Sequence, residues 1–168
     1  ISFCLNPKKA VEVTLQPIER FGFDAAIIFS DILMVPWALG RNVTFVTGKG
    51  PKLDPMETGS EITEAMVAGI APRLTPIATA IRNCRAALAA NKALIGFAGA
   101  PWTIITYLLE GGSSRDFATA RRWMWENDLR FDRLLDLVSL ATADFLTLQA
   151  KAGADALMLF DSWASAVP

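Results

Sequence analysis

The run Ala25-Ala26-Ile27-Ile28-Phe29-Ser30-Asp31 constrains this chain more than any other stretch. Apolar residues lead directly into a hydroxyl and a carboxylate, with Gly22 just before and Pro36 soon after. A helix is disfavoured there, and a short strand over 25–31, covered on both faces as in a parallel sheet, is expected. Side chains alternate along a strand, so Ile27, Phe29 and Asp31 share one face and Ala26, Ile28 and Ser30 the other. A carboxylate then stands at the C-terminal mouth of the strand, which is where parallel α/β folds bind ligands. Asp31 also suits a plain turn cap, and residue type alone does not separate the two uses.

Two later runs repeat the pattern: Ala93-Leu94-Ile95-Gly96-Phe97-Ala98, and Ala156-Leu157-Met158-Leu159-Phe160-Asp161-Ser162. Helical periodicity separates all three, which predicts an α/β fold with parallel pairing. Phe29, Phe97 and Phe160 each come late in their runs. They either belong to the core or wall a pocket for a flat heteroaromatic ligand.

Between the strands, Asn6-Pro7 reads as a helix cap and first turn, followed by Val11, Leu15 and Ile18, with Pro17 expected to kink or end the helix near Gln16. Residues 34–72 read as mainly loop with one possible hairpin, a length that marks functional loops. Thr75-Pro76 should open a helix to about Asn91 that buries Ile77, Ile81, Cys84 and Leu88. Pro101 should open the next, carrying Trp102 and Tyr107 to a stop at Gly111-Gly112. Ser113 or Ser114 should cap a helix through Trp123 and Trp125, those two and Trp102 serving packing. A last helix over 132–152, with Leu134, Val138, Ala141, Phe145 and Leu148 on one side, should end at Gly153.

Composition narrows the chemistry. Of 168 residues, 52% are hydrophobic and 20% charged, so the chain is globular rather than disordered, and a net charge of −1 points to no nucleic-acid or membrane-surface partner. Histidine is absent, which removes the Ser-His-Asp triad and His-based zinc sites from these residues. Cys4 and Cys84 have no metal or redox spacing, so they read as idle buried thiols in a cytoplasmic setting, and no metal site is expected. The uncharged run 93–109 is too short for a membrane span and is broken by Gly96, Gly99 and Pro101. The N-terminus does not look like a signal peptide, and the strand-like run near the other end lacks a covering element, so the chain reads as part of a longer protein.

The motif Phe29-Ser30-Asp31-Ile32-Leu33-x-Val35-Pro36-x-Ala38-Leu39-Gly40, with Gly48-Lys49-Gly50-Pro51 after it, resembles the uroporphyrinogen decarboxylase family. So do Gly96-Phe97-Ala98-Gly99-Ala100-Pro101-Trp102-Thr103, Thr106-Tyr107, Glu110-Gly111-Gly112-Ser113 and the closing Leu159-Phe160-Asp161-Ser162. The resemblance covers the whole chain, 1–168, as a single incomplete domain, and implies about half of a (β/α)8 TIM barrel, three to four βα units. It further implies a homodimeric cytoplasmic enzyme of haem and chlorophyll synthesis, acting on uroporphyrinogen without metal or cofactor. Asp31 would face the pyrrole N–H groups at the macrocycle's centre. Tyr107 and Ser162 would lie near substrate carboxylates, and backbone groups of Ile27, Ile28, Phe29 and Ser30 with the rings of Phe29, Phe97 and Phe160 would line the macrocycle.

On the residues alone Tyr107 reads first as an aromatic packed between helices and Ser162 as a turn cap. The family's Gln-Ala-Gly-Arg segment would lie upstream of Ile1, its substrate-contacting His would lie beyond Pro168, and Trp163 stands where a His often follows the Ser. The chain by itself is therefore expected to be inactive. Two alternatives stand beside this reading: a related zinc- or corrinoid-type methyltransferase with the same barrel, whose ligands would have to come from outside this chain, and a porphyrinogen-binding protein without turnover.

Overall fold

The computed structural model describes residues 1–48, 50–57, 61–126 and 129–167. In chain order it contains α1 (Pro7–Phe21), β1 (Ala25–Ile27), α2 (Met34–Ala38), β2 (Val43–Val46), β3 (Gly50–Leu53), α3 (Glu64–Ala68), α4 (Ile70–Ala87), β4 (Ala93–Gly99), α5 (Pro101–Glu110), α6 (Ala118–Trp125), α7 (Leu129–Ala152), β5 (Ala156–Phe160) and a 3-10 turn (Ala164–Ala166). β1, β4 and β5 form a parallel sheet in the order β1-β4-β5. Ile27 pairs with Ile95, Ile95 with Ala156 and Phe97 with Met158. The mixed α/β class and the parallel pairing are as the sequence predicts.

One side of β1 and β4 is covered, and β5 is exposed along its whole length. Ala26, Ile28, Leu94 and Ala98 are buried, whereas Ile27, Phe29, Met158 and Phe160 on the opposite face are exposed. The expectation that the first strand is buried on both faces is therefore corrected. Beneath the covered face α4 packs against both α1 and α7, and α7 packs on β4 and α5. The stripes Ile77/Ile81/Cys84 and Leu134/Val138/Ala141/Phe145 are buried there as part of one continuous core.

The first strand is also shorter than 25–31. Its ladder with β4 ends where the Ile28 N–H donates to the Ile95 carbonyl (2.9 Å). One residue on, the Phe29 N–H donates instead to Thr14 Oγ1 of α1 (2.9 Å). By register, Phe29 would have faced Phe97. The Phe97 main chain is satisfied by a side chain in its place: its N–H donates to Gln149 Oε1 (2.9 Å), and its carbonyl accepts from Gln149 Nε2 (2.8 Å). Gln149 is fully buried on α7 and reaches the strand over Gly96, where an added Cβ would come 2.6 Å from Gln149 Oε1. Two helix side chains thus replace the missing rung, and the chain from Phe29 to Asp31 is free to leave the sheet.

Several helix boundaries differ from expectation. Pro17 does not end α1, which runs on to Gly22, a left-handed cap (φ 68°) whose N–H donates to the Ile18 carbonyl. Likewise α4 begins at Ile70 rather than Thr75 and contains Pro76. An interior proline costs about 3 kcal/mol, and burial of Ile70 and Leu74, at about 1.5–3 kcal/mol each, offsets it. The 34–72 segment is not mainly loop, since α2, α3 and the antiparallel pair β2–β3 occupy much of it. The expected hairpin is present. Neither Ser113 nor Ser114 caps α6. Glu110 Oε1 accepts the N–H groups of Thr119 (2.8 Å) and Ala120 (3.0 Å), and Ser114 Oγ accepts that of Phe117. Trp102 and Trp123 are packed as expected, but Trp125 is exposed, with the Arg121 guanidinium 5.2 Å from its ring centroid.

At the N-terminal end of the sheet, Asp155 Oδ2 accepts the Leu94 N–H (2.7 Å) and pairs with Arg85. The Leu94 N–H, followed by Arg85, holds the Asp155 carboxyl below its usual range. A depressed carboxyl stabilises the fold fully above its unfolded pKa and ceases to do so as pH falls through the lower folded value. The stability difference between wild type and Asp155→Asn should therefore be widest near neutrality and shrink below about pH 4 in denaturant titrations. A difference independent of pH would show that the carboxylate's charge is not what closes this end. Among the described residues no helix is long and apolar enough to cross a membrane.

Candidate active site

Asp31 follows the departure of the chain from the sheet and is half-buried. Its Oδ1 accepts the Leu33 N–H (2.7 Å), and its carbonyl accepts the Met34 N–H (3.2 Å), so the carboxylate does cap the turn into α2. Among the described residues no protein donor takes Oδ2. One oxygen thus secures the loop, and the turn-cap use of Asp31 is the one the structure shows.

Tyr107 lies in the middle of α5 and is largely buried. Burial pushes its phenol above the ordinary range, the nearby negative charge of Asp31 pushes the same way, and a hydrogen bond from the Trp163 side chain opposes them. Tyr107 is thus a protonated hydrogen-bond donor at neutral pH, within the field of Asp31. Cys4 senses the same carboxylate, but burial dominates and raises its thiol; Cys84 is raised by burial too, and both thiols are free and buried.

Phe97 and Phe160 share one face of the sheet by register, Phe97 being largely buried there, while Phe29 lies beyond the end of β1. Phe97 and Phe160 meet edge-to-face at 5.4 Å, while Phe29 packs against Phe3 at 4.9 Å. Ile27 faces the same way. Ile28 does not: its side chain is buried on the covered face and its N–H is committed to Ile95, as that of Phe29 is to Thr14. Two of the expected backbone donors are therefore occupied, that of Ile28 by the last rung of the ladder and that of Phe29 by the helix side chain beyond it. Ser30 Oγ is buried without a hydrogen-bond partner among the described residues, and Ser162 is exposed. A cavity of about 430 Å³ between α1 and β1 is lined by Thr14, Phe23, Ile27, Ile28, Phe29 and Ser30. Another, of about 530 Å³, lies along α6 at Asp116, Arg121 and Trp125 and touches none of the strand mouths.

Arg41, just after α2, donates to the Asp54 carbonyl (2.7 Å), and Lys49 of the Gly48-Lys49-Gly50-Pro51 motif lies outside the described residues. Among the described residues no group of three or more His, Cys, Asp or Glu is placed to hold a metal ion. The Glu110-Gly111-Gly112 motif has a structural task. Gly111 (φ 72°) ends α5, and a Cβ there would lie 2.8 Å from the Leu53 carbonyl oxygen, because β3 docks through a Leu53 N–H to Gly111 carbonyl bond (3.0 Å).

The sequence reading missed Thr103, Asp161 and Gln149. Thr103 Oγ1 donates to Asp161 Oδ1 (2.6 Å), joining α5 to the segment after β5. The available signal was a polar residue within an apolar helical stripe: Gln149 falls one turn after Phe145, and Thr103 one turn before Tyr107.

The family model for uroporphyrinogen decarboxylase (URO-D) matches residues 1–168. The chain belongs to this family. Its similarity to uroporphyrinogen decarboxylase of Rhodospirillum rubrum is 47% identity over 168 residues, covering 100% of this chain and 48% of the relative. The Maricaulis maris enzyme is 48% identical over 174 residues, with 100% and 48% covered. That of Caulobacter vibrioides is 50% identical over 165 residues, with 98% and 46% covered. The chain spans about half the length of these curated relatives. Among solved structures, a methyltransferase from Methanosarcina mazei superposes with a TM-score of 0.75 at 18% identity, covering 95% of this chain and 47% of that one. At that identity the likeness concerns the fold.

Proposed function

We propose that the protein to which this chain belongs removes carboxyl groups from the four acetate side chains of uroporphyrinogen III, yielding coproporphyrinogen III in tetrapyrrole synthesis. On this reading the sheet described here is part of a (β/α)8 barrel. Support comes from parallel strands alternating with helices and from the exposed apolar face and edge strand β5, which ask for further cover. The homodimer and the cytoplasmic setting belong to the same proposal.

Loss of CO2 from an acetate leaves an electron pair that needs a sink. A pyrrole supplies its own: protonation of the ring carbon beside the acetate spreads positive charge to the ring nitrogen, and CO2 leaves into that cation. A fixed anion beside the pyrrole N–H stabilises this intermediate most where water is scarce. The observation that carries the proposal is the divided carboxylate of Asp31, with Oδ1 anchored to Leu33 and Oδ2 uncommitted at the strand mouth. Tyr107, held protonated by burial and by Asp31, is suited to donate to an acetate. Phe29 and Phe160, both exposed, offer apolar surface for the macrocycle, and the buried Phe97 backs Phe160 edge-to-face. Catalysis needs no cofactor as electron sink here.

The test is the complete protein incubated anaerobically with uroporphyrinogen III, CO2 and product porphyrins being measured after oxidation. Stepwise loss of four carboxyl groups is expected. Tight binding of coproporphyrinogen without CO2 release would instead make this a porphyrinogen carrier.

A further inference from the structure

We propose that Thr103 is a positioning residue that sets Tyr107 and Ser162 relative to each other through a latch across the β4 and β5 strand mouths. The inference rests on the decarboxylase reading above and extends it to a residue that touches no substrate.

Thr103 sits in the first turn of α5 and is fully buried. A buried helical threonine commonly bonds back to the carbonyl four residues earlier. At position 103 that residue is Gly99, still in β4, so the hydroxyl is free to reach outward. It does so twice, donating to Asp161 Oδ1 (2.6 Å) and accepting the Trp163 N–H (3.2 Å). The neighbouring Trp102 Nε1–H donates to the Trp163 carbonyl (2.9 Å), so both main-chain polar groups of Trp163 are held by α5. The strand itself is joined just before, where the Ala100 N–H donates to the Phe160 carbonyl (2.7 Å).

Ser162 is therefore flanked by one residue fixed through its side chain and another fixed through its backbone. The Trp163 ring, so placed, packs against Tyr107 (centroids 6.2 Å apart) and Phe117 (5.0 Å). Tyr107 lies one helical turn beyond Thr103 on the same side of α5. A single hydroxyl thus couples the helix carrying the phenol to the loop carrying the serine. The Asp161 carboxylate also lies at the N-terminal end of α5, where the helix dipole favours an anion. Because the latch fixes orientation rather than supplying contacts, its loss should appear in turnover and little in substrate binding.

The experiment compares Thr103→Val and Thr103→Ser in the full-length protein. Valine keeps the shape and removes both bonds, and serine keeps both. We expect kcat per folded active site to fall roughly 10- to 100-fold in Thr103→Val with KM changed by less than about threefold, and Thr103→Ser to stay within about threefold of wild type. Hydrogen exchange at the Trp163 amide should accelerate in Thr103→Val and remain slow in Thr103→Ser. Unchanged kcat per folded site in Thr103→Val overturns the proposal even if the protein is less stable, and so does a Thr103→Ser variant as slow as Thr103→Val. Should Thr103→Val not fold, Asp161→Ala opens the latch from its exposed side, and a normal kcat there overturns the proposal equally. A wild-type protein that releases no CO2 defeats the decarboxylase reading instead, while the Trp163 exchange rates still report whether the latch exists.

Discussion

Replacing Asp31 by Asn in the full-length protein should lower kcat by about 10²–10³-fold, the usual loss on removing a preorganised electrostatic group, while leaving the fold almost undisturbed. The reason lies in how the carboxylate is divided. Asparagine retains a carbonyl oxygen able to accept the Leu33 N–H, so the turn into α2 survives. What disappears is the charge presented by the other oxygen. Asp31→Ala removes both functions, and its additional cost is that of an unpaired turn donor, about 1 kcal/mol, visible as a lower midpoint in denaturant. Turnover and stability should separate in Asp31→Asn and fall together in Asp31→Ala. An Asp31→Asn enzyme turning over within a factor of a few of wild type would reduce Asp31 to a turn cap and remove the electrostatic mechanism proposed for this site.

Gln149→Leu should cost about 2–6 kcal/mol of stability, from two buried main-chain groups at about 1–3 kcal/mol each. Leucine fits an apolar helix face, so lost packing is not the cause. The Phe97 N–H and carbonyl, which bond to Gln149, would be left without partners on the side from which β1 has already departed. Gly96→Ala should damage the same rung from the strand side, since the added methyl would meet the Gln149 amide at 2.6 Å. Urea unfolding of the full-length protein measures both. A Gln149→Leu variant within about 0.5 kcal/mol of wild type, the range of an ordinary surface substitution, would mean that β1 can close onto Phe97 and that the splayed strand is not held open by this side chain.

The two results bear on one design. The strand mouth opens because β1 yields its ladder bonds early, and Thr14 and Gln149 satisfy what the ladder no longer can. Only then can the 29–31 segment turn and present Asp31. The motif that marks the family in sequence, Phe29-Ser30-Asp31, therefore depends on residues in α1 and α7 that no local pattern joins to it. Other motif residues are architectural, as Gly111 is where the β2–β3 hairpin meets α5.

By itself the sequence determined much that is local or periodic: the Asn6-Pro7 cap, the Pro101 start and Gly111 and Gly153 stops, the buried stripes of α4 and α7, three parallel strands, and the side of β1 on which Ile27 lies. Such features are set within a turn or two of the chain by dihedral preference and side-chain period. The tertiary structure alone decided where β1 ends, that α1 and α4 run through Pro17 and Pro76, that Glu110 rather than a serine caps α6, and that Ile28 turns away from the open face. Each of those outcomes is a competition for backbone hydrogen bonds or buried area between segments far apart in the chain, and the winner exists only once the helices are packed against the sheet.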